Sequence, residues 1–213
     1  MRAILSVLLL AASGLAVLLA PPSYAGDGPG LRPSGPVTSV VVVRPVRADG
    51  TPAPGWTVRH ERGRAFCDAT SPAAVRAGIA SCSPSAAYLP ACWRSAHHTV
   101  LCVRDPRVHE LVRIRYAGTF PQVTEPAVPT PLAMRLSNGA YCQIRVGGAW
   151  GMTPGHPRWV GFDSCDDGGD VYGPIRGDGV VRSRPLWWVR EVIDLKDVHR
   201  RAVATAYLVG TAR

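Results

Sequence analysis

The segment Asp163-Ser-Cys-Asp166-Asp167-Gly-Gly-Asp170 places four carboxylates in eight residues, with two glycines that let the backbone curl. Oxygen-rich loops of this kind hold hard cations such as Ca²⁺, so Asp163, Asp166, Asp167 and Asp170 are candidate metal ligands. Their spacing departs from the EF-hand calcium loop, which needs acids at alternate positions and a closing Glu. A solvated turn accounts for the same residues, because Asp bonds readily to its own neighbouring backbone. Trp150, Trp159 and Trp187 are candidate ligand contacts, since flat aromatic faces stack on sugar rings. Trp187 and Trp188 are adjacent in an extended segment and point to opposite faces, so at least one belongs to the core.

Other chemistries find less support. His109-Glu110 begins like a metallopeptidase motif, but the position three beyond the Glu is Arg113 instead of a second His. No Gly-x-Ser-x-Gly elbow occurs. His97-His98 has no visible partner that would tune an imidazole as a base. Glycoside hydrolysis needs two carboxyl groups, and Glu110, Glu125, Glu191 and the aspartates can supply them only where the fold brings them together. No motif implies a cofactor. The leading reading is a non-enzymatic binding or structural module of the cell envelope or extracellular space. The alternative is a cell-envelope hydrolase with a carboxylate-based site.

The compartment is read from the N-terminus. Met1-Arg2 precedes an uncharged apolar run, Ala3 to Ala20, and then Pro21-Pro-Ser-Tyr-Ala25. This is the pattern of a secretory signal, with cleavage expected after Ala25. No later segment is apolar for long enough to span a membrane. The six cysteines are Cys67, Cys82, Cys92, Cys102, Cys142 and Cys165. An even number in an exported chain implies three disulfides. Cys142 with Cys165 is the first pairing, because the two enclose a hairpin-like segment. Cys92 with Cys102 is the next, which leaves Cys67 with Cys82. The net charge is +9, carried by arginine with Lys196 as the sole lysine. A basic exported chain associates with anionic polymers, so a cell-wall glycan or an envelope protein is the expected partner. Nucleic acid is not, because the arginines are dispersed and form no binding motif.

The elements that must position these residues are mainly strands. Residues 26–55 read as a flexible Gly/Pro leader with one β-branched strand at Val37–Val43. Residues 56–119 form a disulfide-tied β module. Its strands are expected at Trp56–His60, Arg64–Cys67 beyond an Arg62-Gly63 turn, Thr99–Val103 and Leu111–Tyr116. Ser71-Pro72 opens one short helix that ends at Gly78. Residues 120–131, with four prolines, are a linker or an extended crossover. Residues 132–213 form a second β module. It begins with a hairpin, Leu132–Leu136 and Tyr141–Val146, around Ser137-Asn138-Gly139. Trp159–Phe162, Val171–Ile175, Leu186–Val192, a loop through Lys196, and Ala202–Val209 follow. The fold class is thus mainly β: a disulfide-stabilised small sandwich or barrel, as one domain or two packed β modules.

The run Arg135-Leu-Ser-Asn-Gly-Ala-Tyr-Cys142, with Gly148-Ala-Trp-Gly151, Val171-Tyr-Gly-Pro174 and Val203-Ala-Thr-Ala-Tyr207, resembles a family of small exported proteins from mycobacteria and related actinobacteria. Cys82-Ser-Pro-Ser-Ala-Ala87, Ala91-Cys-Trp93 and Leu101-Cys-Val-Arg-Asp-Pro106 fit the same family. The resemblance covers roughly Cys67 to the end. It implies export, paired cysteines and an actinobacterial source, and it transfers no catalytic residue. The intact mass of the protein from culture supernatant should lack residues 1–25 and six cysteine hydrogens; a retained N-terminus or free thiols would refute the compartment reading.

Overall fold

The computed structural model describes residues 35–213 except Ala86, Ala149 and Arg184; the expected signal segment, 1–25, lies outside these. β1 (Ser39–Val43) precedes the long β2 (Thr57–Thr70), β3 (Ile79–Ser83), β4 (Leu89–Ser95), β5 (Thr99–Val103) and β6 (Glu110–Tyr116). β7 (Ala133–Leu136), β8 (Tyr141–Ile144), β9 (Trp159–Cys165), β10 (Asp170–Pro174), β11 (Val180–Ser183), β12 (Leu186–Ile193) and β13 (Asp197–Val209) follow. No helix occurs among the described residues. None therefore is long and apolar enough to cross a membrane.

Of the two all-β solutions, the chain adopts the barrel. β2 to β6 close a five-stranded barrel, with β2 parallel to β6 and the other neighbours antiparallel. In the second half β12 pairs with both β10 and β13, which closes the ring β7-β8-β9-β10-β12-β13. β1 and β11 flank that ring, on β13 and β12. Closure removes most of the unpaired strand edge that would invite aggregation.

Alternation along β4 and β5 divides the first barrel's apolar residues between two clusters. Cys92, Val100 and Cys102 join Leu89, Ile114 and Tyr116 in one. Trp93, Leu101 and Val103 face the other, which also takes in Val46, Leu132 and Val209. The second cluster is therefore built by strands of both barrels. A third cluster, around Met134, Leu136, Val189 and Val203, belongs to the second barrel.

The disulfides join Cys67 to Cys82, Cys92 to Cys102 and Cys142 to Cys165. Each bridges residues directly opposite one another on adjacent strands. Three disulfides fit an oxidising compartment and brace a protein of this size.

Several local expectations need correction. Ser71–Gly78 forms no helix. The backbone there is engaged by the end of β13: Val75 N–H donates to Val209 O, and Val209 N–H donates to Ala73 O. The Ser71 hydroxyl, buried and without a partner, caps nothing. Arg62-Gly63 does not end a strand either. β2 runs through it with a shift of register between His60 and Arg64, and Gly63 takes up the positive φ. The loop expected through Lys196 is a tight turn, with Asp194 and Leu195 both at positive φ and Lys196 N–H donating to Ile193 O. This is the primed geometry that matches strand twist, made without Gly or Asn, which is why composition hides it. The Asn138-Gly139 hairpin is a three-residue loop in which Gly139 alone has positive φ.

Replacing Cys142 and Cys165 together by Ser opens a loop of 23 residues. Urea unfolding of that variant should show a loss of about 3 kcal/mol, from the regained freedom of the unfolded chain.

Candidate functional site

β9 should alternate cleanly, but it carries one residue more than its partner. Asp163 lies opposite Val171 and Gly161 opposite Tyr172, so Phe162 is the extra residue of a bulge. Bulges of this kind re-aim side chains. Phe162 and Asp163, neighbours in sequence, consequently line the same cavity of about 220 Å³. Tyr88, Thr130, Ile144 and Asp178 complete the walls that matter chemically.

Asp163 is 1% exposed. Neither of its carboxyl oxygens has a hydrogen-bond partner among the described residues. Its partners in register, Ile144 and Val171, are apolar. Burial, reinforced by the negative charge of Asp178, pushes its pKa up to about 8. Asp178 is differently placed. Its carboxylate accepts from Thr130 Oγ1, from the Val180 N–H and from both terminal nitrogens of Arg182. One acid of the pair is thus fully engaged and ion-paired, and the other is free.

The remaining aspartates of the acidic segment do not converge on Asp163. Asp166 Oδ1 accepts from the Tyr141 N–H at 2.8 Å, and Asp167 Oδ1 accepts from the Gly169 N–H at 3.1 Å. Asp170 begins β10, opposite Ser164 and Val192. Asp167 does approach Cys165 and Glu191, but Cys165 is held in its disulfide. Glu191 is wholly buried and accepts from Arg201 Nε at 2.7 Å and from Asn138 Nδ2 at 3.2 Å. These carboxylates shape turns and pin the Asn138 hairpin to β12. Glu110 pairs with Arg59 at the head of β6 and does not line the cavity.

The tryptophans divide by environment. Trp150 lies flat on β9 at Gly161: a Cβ there would sit 1.9 Å from a ring carbon. Its ring also meets Tyr172 edge-on at 5.6 Å. Trp187 packs against the buried cluster of the second barrel, under Arg182. Trp159 and Trp188 belong to a surface ladder. His156 stacks on Trp159 at 3.7 Å, and the Arg190 guanidinium lies 5.1 Å from the Trp159 ring and 4.9 Å from Trp188. Arg200 covers Trp188 at 4.2 Å. Arg190 and Arg200 are direct cross-strand partners on β12 and β13, an arrangement that like charges disfavour without a compensating group. Trp188 supplies that compensation through cation–π contact.

A shallow depression at each end extends the ladder. Arg158, Trp159, Ile175 and Arg176 line one, and Trp188, Arg200, Ser137 and Leu186 line the other. Arg158, Arg176, Arg190 and Arg200 have no acidic partner within salt-bridge distance among the described residues. Sequence reasoning singled out Asp163, Trp150, Trp159 and Trp187, weighed Trp188 as the neighbour of Trp187, and did not reach Asp178 or the arginines. Arg190 and Arg200 are 10 residues apart along the chain and become neighbours only through strand register.

No family model, curated protein or solved structure matches this chain.

The buried acid sets a pH signature. The folded-state pKa of Asp163 is raised from 3.8 to about 8, so between those values the native state holds a proton that the unfolded chain releases. Its contribution to stability is therefore greatest below about pH 4, falls as pH rises, and levels off above about pH 8. Chemical denaturation across this window should show wild-type stability declining by several kcal/mol relative to Asp163→Asn. Parallel curves for the two proteins would contradict the assignment.

Proposed function

We propose that the protein is an exported, disulfide-braced binding protein whose arginine–tryptophan face takes an anionic polysaccharide of the cell envelope. The observation that carries this reading is the ladder Arg200–Trp188–Arg190–Trp159–His156 on the second barrel. Flat rings offer stacking surface to sugar faces, and guanidinium groups make planar, two-point hydrogen bonds to carboxylate or phosphate. The alternation matches a ligand that itself alternates between apolar ring faces and anionic groups. The net charge of +9 raises the local concentration of such a polymer. The apolar N-terminal run and the three disulfides support an exported setting, and the resemblance to actinobacterial exported proteins agrees with it.

A carboxylate-based hydrolase is the weaker reading. Asp163 has the raised pKa of a general acid, but Asp178 already accepts from Thr130, Val180 and Arg182 and is not free to activate water.

Affinity electrophoresis through gels containing polygalacturonate should retard the protein, while neutral dextran should not. The double variant Trp159→Ala/Trp188→Ala should bind at least about tenfold more weakly, as expected for two lost stacking contacts. Arg190→Gln should weaken binding and flatten its salt dependence. Equal retardation in both gels, or no change in the variants, would remove the ladder as the binding face.

A further inference from the structure

A buried carboxyl group with no partner calls for an explanation, because the uncompensated charge costs far more than a paired one. The other fully buried acid among the described residues has its partners, Arg201 and Asn138 for Glu191, and the partly buried Asp105 and Asp178 have Arg107 with Tyr141 and Arg182, respectively. Among the described residues Asp163 is the fully buried acid with no hydrogen-bond partner for either oxygen, and its side chain forms part of a cavity wall, with the oxygens just beneath the lining surface.

We propose that this cavity is a binding site for a small organic ammonium ion, with Asp163 as its counter-ion and the Phe162 and Tyr88 rings as its walls. An ammonium head supplies both things the carboxylate lacks, positive charge and hydrogen-bond donors. An alkyl tail suits the rest of the lining, where Ile144 and Phe162 contribute carbon surface. The aromatic rings add attraction to a cation at their faces. A hard metal ion fits less well. It needs six or so oxygen ligands, and the cavity offers one free carboxylate beside a second whose charge is already met by Arg182. This site is independent of the arginine–tryptophan face, since none of the ladder residues lines the cavity.

Binding by Asp163 must depend on its ionisation. The other charged or titratable groups at the cavity are few. Asp178 faces it from the β10–β11 loop with Arg182 of β11 bound behind, and Tyr88 faces it from the approach to β4. Burial raises the Tyr88 hydroxyl above its ordinary value, which keeps it neutral throughout the working range. Asp163 is then the group whose charge changes near pH 8, and a bound ammonium ion draws it into the ionised form.

The test uses butylammonium chloride as the probe and 1-butanol as its neutral counterpart, followed by ligand-observed NMR titration at about pH 6 and about pH 9, either side of the Asp163 pKa. Butylammonium should bind at least about tenfold more tightly at the higher pH, 1-butanol should show no such change, and Asp163→Asn should lose the pH-dependent part. The Asn substitution removes a buried acid and should fold, which circular dichroism checks. Where that variant fails to fold, the amine–alcohol contrast in the wild-type protein decides alone. Equal binding of amine and alcohol, affinity for the amine that does not vary with pH, or no binding by the wild type would each overturn the proposal.

Discussion

β13 is the strand on which the structure depends. Within its thirteen residues it pairs with β12, then β7, then β1, so it closes the second barrel and anchors the strand that precedes the first. Its end reaches further. Val209 exchanges backbone hydrogen bonds with the Ala73–Val75 turn and joins the cluster that holds Trp93, Leu101 and Leu111. Just beyond, Thr211 accepts from the Trp93 indole at 3.2 Å, and Ala212 N–H donates to Val46 O at 2.8 Å. Every backbone donor along such a strand must find an acceptor, and here the acceptors come from both barrels. Deleting or misregistering β13 would therefore open the second barrel and bare the apolar cluster that the first barrel shares with it.

The cross-strand disulfides and a compact polar latch add to this. Tyr141 donates to Asp105 at 3.0 Å while the Arg107 guanidinium lies 3.4 Å over the tyrosine ring. Arg107 also reaches Asp166 at the turn that follows β9. Arginine, carboxylate and aromatic ring thus tie the β5–β6 loop of one barrel to β8 and β9 of the other. Desolvation at such a latch is tolerable because each charge has its counter-charge within reach.

The two candidate sites show opposite uses of charge on one barrel. On the outer face, arginines without acidic partners are spaced by tryptophans, which lowers their mutual repulsion and leaves their donors free for a ligand. In the cavity, an acid without a basic partner is held among apolar residues, where its charge is costly unless something neutralises it. β9 contributes to both, through Trp159 at its start and Asp163 near its end. A bulge between them lets one short strand serve a surface and an interior site.

Fold class was legible in the residues because its causes are local. β-branched runs, period-two alternation and an Asn-Gly turn encode strands wherever they stand, and six cysteines behind an apolar leader encode disulfides. β3 and β11 escaped that reading, since Ile79-Ala-Ser-Cys-Ser83 and Val180-Val-Arg-Ser183 are too short to show a period. Only the tertiary structure decided that Ser71–Gly78 would be a turn, because β13 claims its backbone before a helix can form. It also decided where the charges went. Asp163 reads in sequence as one of four similar aspartates, and its burial follows from a bulge whose existence depends on β10 being one residue shorter opposite it. Arg190 and Arg200 read as scattered, and they meet through the register of β12 on β13. Composition and periodicity are properties of neighbours along the chain, whereas a site is a property of neighbours in space, and here long-range strand pairing supplies the difference.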